Sequence, residues 1–100
     1  MNQFTTEELD KLVSAGETVI VDFFTTWCGP CKMLAPIFES AASKGEGQAV
    51  FGKVDAEAEL ELAQRYGIMS VPTIILFKGG EIVKKHTGVL SETAILGLLE

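Results

Sequence analysis

Cys28 and Cys31 are the only thiols of this chain, three positions apart in Trp27-Cys28-Gly29-Pro30-Cys31-Lys32. A strongly apolar run, Val19-Ile20-Val21-Asp22-Phe23-Phe24, comes just before them and reads as a buried strand. The residues after Cys31 read as a helix, so the pair stands at a strand-to-helix turn. Free N–H groups and the helix dipole favour a thiolate over a thiol at such a place. A stabilised thiolate is both a nucleophile and a good leaving group. A second thiol one turn away can close a ring with it, so two electrons can be held as a dithiol and released as a disulfide. The chemistry these residues suggest is thiol–disulfide exchange.

Other uses of the pair fit less well. A stapling disulfide over a two-residue gap restrains little chain entropy. A zinc site would have two thiolates and the single His86, far along the chain, and so lacks its usual four ligands; no metal is expected. One hundred residues, 47% hydrophobic, suit one domain over 1–100 with one core. The net charge of −6 argues against a nucleic-acid or anionic-membrane surface, because neutralising phosphates needs a basic face. Met1 to Glu8 shows no basic stretch followed by an apolar one, and no later run approaches spanning length. Two cysteines in a chain without a visible targeting segment suit a reducing compartment, and the expectation is a cytoplasmic protein.

The elements that must carry the cysteines alternate between helix and strand. Leu9, Leu12 and Val13 have helical spacing over about Thr5–Ala15, with Thr5 and Glu8 able to form a capping box and Gly16 to end the helix. A strand follows over Thr18–Phe24. A helix over Cys31–Lys44 holds Leu34, Ile37, Phe38 and Ala41 on one face, with a kink expected at Pro36. A second strand spans Ala49–Val54 and a short helix Ala58–Tyr66. Thr73–Phe77 and Ile82–Thr87 flank Lys78-Gly79-Gly80-Glu81 as a hairpin, and Ser91 caps a last helix reaching Leu99. Strands joined through a helix lie parallel by right-handed crossover, and the hairpin adds antiparallel strands. The expected fold is α/β, a mixed sheet with helices on both faces. The cysteine turn falls at the C-terminal end of its strand, where open α/β sheets collect their chemistry.

Several further segments accompany the cysteine motif: Val21-Asp22-Phe23, Ala35-Pro36, Lys53-Val54-Asp55, Tyr66-Gly67-Ile68, Val71-Pro72-Thr73, Phe77-Lys78-Gly79-Gly80 and Gly88. In this order and spacing the chain resembles the thioredoxin family over nearly its whole length. The resemblance implies a thioredoxin fold with a central four- to five-stranded sheet, and a reductase of disulfides in client proteins. The Gly-Pro pair between the cysteines resembles the reducing members more than oxidising or isomerising ones. It further implies a monomer with no bound cofactor, whose electrons come from a separate thioredoxin reductase, NADPH- or ferredoxin-linked. Two departures are visible. Only four residues precede Thr5, where the family opens with a strand, which leaves open a four-stranded sheet with a newly exposed edge. Phe24 stands where many members have a second tryptophan.

Within that resemblance the cysteines are not equivalent. Cys28, nearest the turn and solvent, should attack a client disulfide; Cys31, one position inside the helix and shielded, should resolve the mixed disulfide. Asp22 interrupts an apolar strand whose neighbours Val21 and Phe23 point to the opposite face, so it should project toward the helix of Cys31. Burial raises a carboxyl pKa, and a carboxyl poised near neutrality can take the resolving thiol's proton. Lys53, on the adjacent strand, could partner it; the alternative is an ordinary buried pair kept for packing. The family resemblance implies a cis bond before Pro72, which would leave the Val71 backbone free beside the cysteines to pair with a client strand. Trp27, Gly29, Pro30, Ser70, Val71, Gly88 and Val89 would form the surrounding platform. Met33 reads as a helix packing residue, Met69 as a rim residue and His86 as a solvated strand residue. Glu57, Glu59 and Glu61 read as a solvated helix start. Two other functions stay open, a redox-independent scaffold and a disulfide oxidant or isomerase. Activity surviving loss of both cysteines would favour the first, and a high reduction potential the second.

Overall fold

The computed structural model describes residues 1–100. The chain runs β1 (Asn2–Gln3), α1 (Thr6–Ser14), β2 (Val19–Phe24), α2 (Gly29–Lys44), β3 (Val50–Asp55), α3 (Leu60–Arg65), β4 (Thr73–Lys78), β5 (Glu81–Thr87) and α4 (Glu92–Leu98). The strands form one mixed sheet in the order β1-β3-β2-β4-β5, with β1, β3 and β2 parallel and β4 and β5 antiparallel. Short as the N-terminus is, it supplies the fifth strand. Asn2 and Gln3 pair with Gly52 and Lys53, and the Phe4 N–H extends the ladder to Lys53 O at 2.8 Å. A packing detail anchors this edge. The Phe4 ring lies where a side chain at residue 52 would stand, a Cβ there falling 2.1 Å from Phe4 Cε2, so glycine is the residue that fits.

The alternation of β2 divides the core between the two faces of the sheet. Val19, Val21 and Phe23 pack with Leu9, Leu62, Ile75 and Phe77 beneath α1 and α3. Ile20 packs with Leu34, Phe38, Ile74 and Ile95 beneath α2 and α4. Strand β2 is thus buried on both sides, as expected of a strand at the centre of a sheet with helices on both faces. Asp22 shares its parity with Ile20 and lies on the α2 face, fully buried.

Local signals account for most boundaries. Thr5 and Glu8 form the reciprocal capping box, at 3.2 and 2.9 Å. Gly79 and Gly80, at φ 61° and 84°, make the tight turn between β4 and β5, where both central residues need positive φ. Ser91 caps α4 through the Ala94 N–H. Helix α2 runs through Pro36 to Lys44 without a break. Two helix boundaries differ from expectation. Helix α2 begins at Gly29 rather than Cys31, because Cys28 is its N-cap and Pro30 suits its first turn. Helix α3 begins only at Leu60, because the Asp55 side chain accepts the Glu57 and Ala58 N–H groups and holds that stretch as a turn. No helix is long and apolar enough to cross a membrane.

Candidate active site

The last residues of β2 lead directly into the N-terminus of α2, and the cysteines sit on that junction. Cys28 and Cys31 are joined in a disulfide. As N-cap, Cys28 presents its Sγ to the Cys31 N–H at 3.2 Å, the position in which a capping side chain satisfies a free helix donor. Cys31 therefore stands third in the helix, not first as its expected start implied. The same Cys28 sulfur lies 3.7 Å from the carbonyl oxygen of Val71. A thiolate formed at Cys28 would keep the backbone donor and gain from the helix dipole.

Both cysteines are nearly buried, Cys28 at 6% exposure and Cys31 at 4%, so overall exposure does not separate them. Their surroundings do. Cys28 opens into a groove of about 550 Å³ between the Thr25–Pro30 turn and the 68–71 segment. Cys31 borders a smaller cavity of about 220 Å³ on the other side, with Phe24, Lys32 and Lys53. The larger groove is thus lined by the first sulfur and not by the second.

The expected substrate platform is brought together in part. Trp27, Gly29, Pro30, Ser70 and Val71 all line the groove. The Val71–Pro72 bond is cis, and neither the Val71 N–H nor its carbonyl has a backbone partner. Pro72 itself is buried behind the groove, and its carbonyl accepts the Gly88 N–H at 2.9 Å. Gly88, at φ 107°, supports that turn from behind, and neither it nor Val89 reaches the groove. Met69 is the rim residue expected, 94% exposed, but Met33 is exposed on α2 rather than packed. His86 is half-buried on the edge strand.

Asp22 lies on the α2 face of β2 with both carboxyl oxygens buried and without a hydrogen-bond partner in the protein. Burial pushes its pKa from 3.8 up to about 6, and the charge of Lys53 pulls it down by a smaller amount. Lys53 is its register partner on β3, but no ion pair forms. The ammonium rests 4.6 Å from the centre of the Phe24 ring, the residue that replaces the family's frequent tryptophan. The expected carboxylate–ammonium partnership is thus a longer-range attraction. A carboxyl with this pKa is half-ionised near pH 6 and so can take up or release a proton close to neutrality.

The three glutamates expected to be solvated each have a partner. Glu57 accepts the Trp27 indole N–H at 2.6 Å, Glu59 accepts both the N–H and hydroxyl of Thr6 at 2.9 Å, and Glu61 pairs with Arg65. Glu57, Leu60 and Ala63 were not expected at the groove, yet they form its far side. A usable signal was present, since Glu57 follows the C-terminal end of β3 beside β2, the end where such sheets bind ligands.

Fold and site together define a dithiol–disulfide oxidoreductase. The comparison with known proteins agrees. The thioredoxin family profile matches residues 1–100. A thioredoxin of Mycoplasmoides gallisepticum is 41% identical over 93% of this chain and 92% of its own length. A bifunctional thioredoxin reductase/thioredoxin of Mycobacterium leprae is 42% identical over 85% of this chain, which spans only 19% of that protein. Among solved structures, Plasmodium falciparum thioredoxin superposes with a TM-score of 0.90 at 36% identity, over 99% of this chain and 96% of that one. The chain belongs to the thioredoxin family, and its Cys28–Cys31 pair makes it a disulfide oxidoreductase.

Proposed function

We propose that this chain reduces disulfides of client proteins, with Cys28 as the attacking and Cys31 as the resolving thiol. The observation that carries this reading is the difference in what the two sulfurs border: Cys28 lines the larger apolar groove beside Val71, and Cys31 does not, bordering only a smaller cavity with Lys32 and Lys53. The Cys28 thiolate attacks one client sulfur, forming a mixed disulfide and expelling the other client sulfur as a thiolate. Cys31 then attacks Cys28, which forms the Cys28–Cys31 disulfide and releases the second client thiolate, so two electrons pass to the client. Asp22, ionised above its pKa of about 6, takes the Cys31 proton. Lys53 tunes that carboxyl by its charge. The client backbone pairs with the free Val71 groups as an added strand, over a platform of Trp27, Gly29, Pro30, Ser70 and Val71. Pro72, Gly88 and Val89 hold or flank that edge.

The domain works as a cytoplasmic electron carrier without a bound cofactor and is re-reduced by a separate thioredoxin reductase. The fusion of the two activities in the Mycobacterium leprae relative supports such a partner. Single serine variants test the assignment. Cys31→Ser should accumulate covalent complexes with disulfide-bonded clients through Cys28, seen as reductant-sensitive adducts, and Cys28→Ser should accumulate none. Equal trapping by both would abolish the asymmetry.

A further inference from the structure

Charge is sorted across the disulfide. Glu57 is the one charged residue lining the groove on the Cys28 side, whereas Lys32 and Lys53 border the cavity on the Cys31 side. The Trp27 indole fixes the Glu57 carboxylate at the groove mouth by donating to Oε1 at 2.6 Å, and Oε2 has no partner. The neighbouring acids are committed elsewhere, Glu59 to Thr6 and Glu61 to Arg65. A client segment lying in the groove therefore meets one free, pre-positioned carboxylate set among Trp27, Leu60 and Met69, all exposed and apolar.

We propose that Glu57 makes the groove select disulfides flanked by lysine or arginine. This rests on the reading of the groove as the client site. A cationic side chain beside the client cysteine lays its aliphatic stem along the apolar rim and its charge on Glu57 Oε2. An acidic one meets repulsion from Glu57 and from the chain's net charge of −6, with no cation in the groove to offset it. An exposed pair of this kind changes rates by about two- to fivefold at low salt, and less when screened.

The test uses the full chain, pre-reduced and freed of reductant, and three peptides closed by the same disulfide and differing only in a flanking Lys, Gln or Glu. The second-order rate constant for peptide reduction in this single turnover should fall in the order Lys, Gln, Glu at about 20 mM salt, and the spread should narrow at about 500 mM. Glu57→Gln keeps an oxygen for the indole but removes the charge, and the order should flatten. Glu57→Lys should reverse it. Glu46→Gln makes the same change in net charge beyond the far end of α2 and should keep the order. An order that survives Glu57→Gln, or is lost equally in Glu46→Gln, would assign the preference to overall charge and overturn the proposal. Equal rates in the unaltered chain would remove charge selection alone. Failure to reduce any of the three would remove the client-reduction reading as well.

Discussion

Replacing Asp22 by Asn separates the cost of a buried charge from everything else at that position. The side chain is fully buried, has no hydrogen-bond partner in the protein, and titrates near 6 instead of 3.8. The raised pKa means that the native state holds a proton the unfolded chain has already released, throughout the interval between those two values. Stability must therefore fall as pH rises from about 4 to about 6, and stay lowered above it. At about 1.4 kcal/mol per pH unit the full penalty is about 3 kcal/mol, a large part of a small domain's net stability. Asn carries no such term at any pH. Urea unfolding of the disulfide form at pH 4 and at pH 8 measures both proteins under the same two conditions. The difference between them should move by about 2.5 kcal/mol in favour of the variant on going to pH 8, since a small part of the penalty is already present at pH 4. Other groups titrate in both proteins and cancel in that difference. An offset equal at the two pH values would refute the reasoning, because it would mean that Asp22 is not protonated preferentially in the native state. The same variant should slow release of a trapped mixed disulfide above pH 6, with the first attack by Cys28 less affected.

Three further outcomes follow from local geometry. Gly52→Ala places a methyl group in the Phe4 ring and should lower stability by about 1–3 kcal/mol in urea unfolding, with Phe4→Leu partly restoring it in the double variant. Lys85→Met removes the ammonium that donates to the Tyr66 and Gly67 carbonyls at the end of α3, at 2.9 and 3.3 Å; a loss of about 0.5–1 kcal/mol is expected, and no change in the unfolding midpoint would deny the cap a role. Thr5→Ala dismantles the capping box of α1 and should cost about 1 kcal/mol by the same measurement.

What could be read before the structure depended on whether the deciding interaction was local. The capping box at Thr5, the cysteine turn and the Gly79-Gly80 hairpin are each fixed by residues within a few positions of one another, and they formed as the sequence pattern required. The face on which Asp22 lies followed from strand parity alone. The late start of α3 was also a local matter, but there two signals competed. Acidic residues at 57, 59 and 61 suit a first helical turn, yet Asp55 offers the backbone an alternative set of hydrogen bonds and wins. Lys53 shows the limit of register as a guide. Adjacent positions on paired strands bring Asp22 and Lys53 side by side, but a long flexible ammonium can reach several neighbours, and it lies over Phe24.

The groove wall was the least legible part, and the reason is physical rather than incidental. Trp27 and Glu57 are 30 positions apart on the ends of different strands, so neither predicts the other until β2 and β3 are set in register. That register places the turn after β2 beside the turn after β3, and Asp55 then holds the chain so that Glu57 meets the indole instead of entering a helix. A one-residue slip between the strands would put Asp22 on the opposite face, away from α2, and break the approach of Glu57 to Trp27. The buried carboxyl and the groove carboxylate thus depend on the same pairing. Changes that loosen β2 against β3 should therefore disturb the pH dependence of resolution and the charge preference of the groove together.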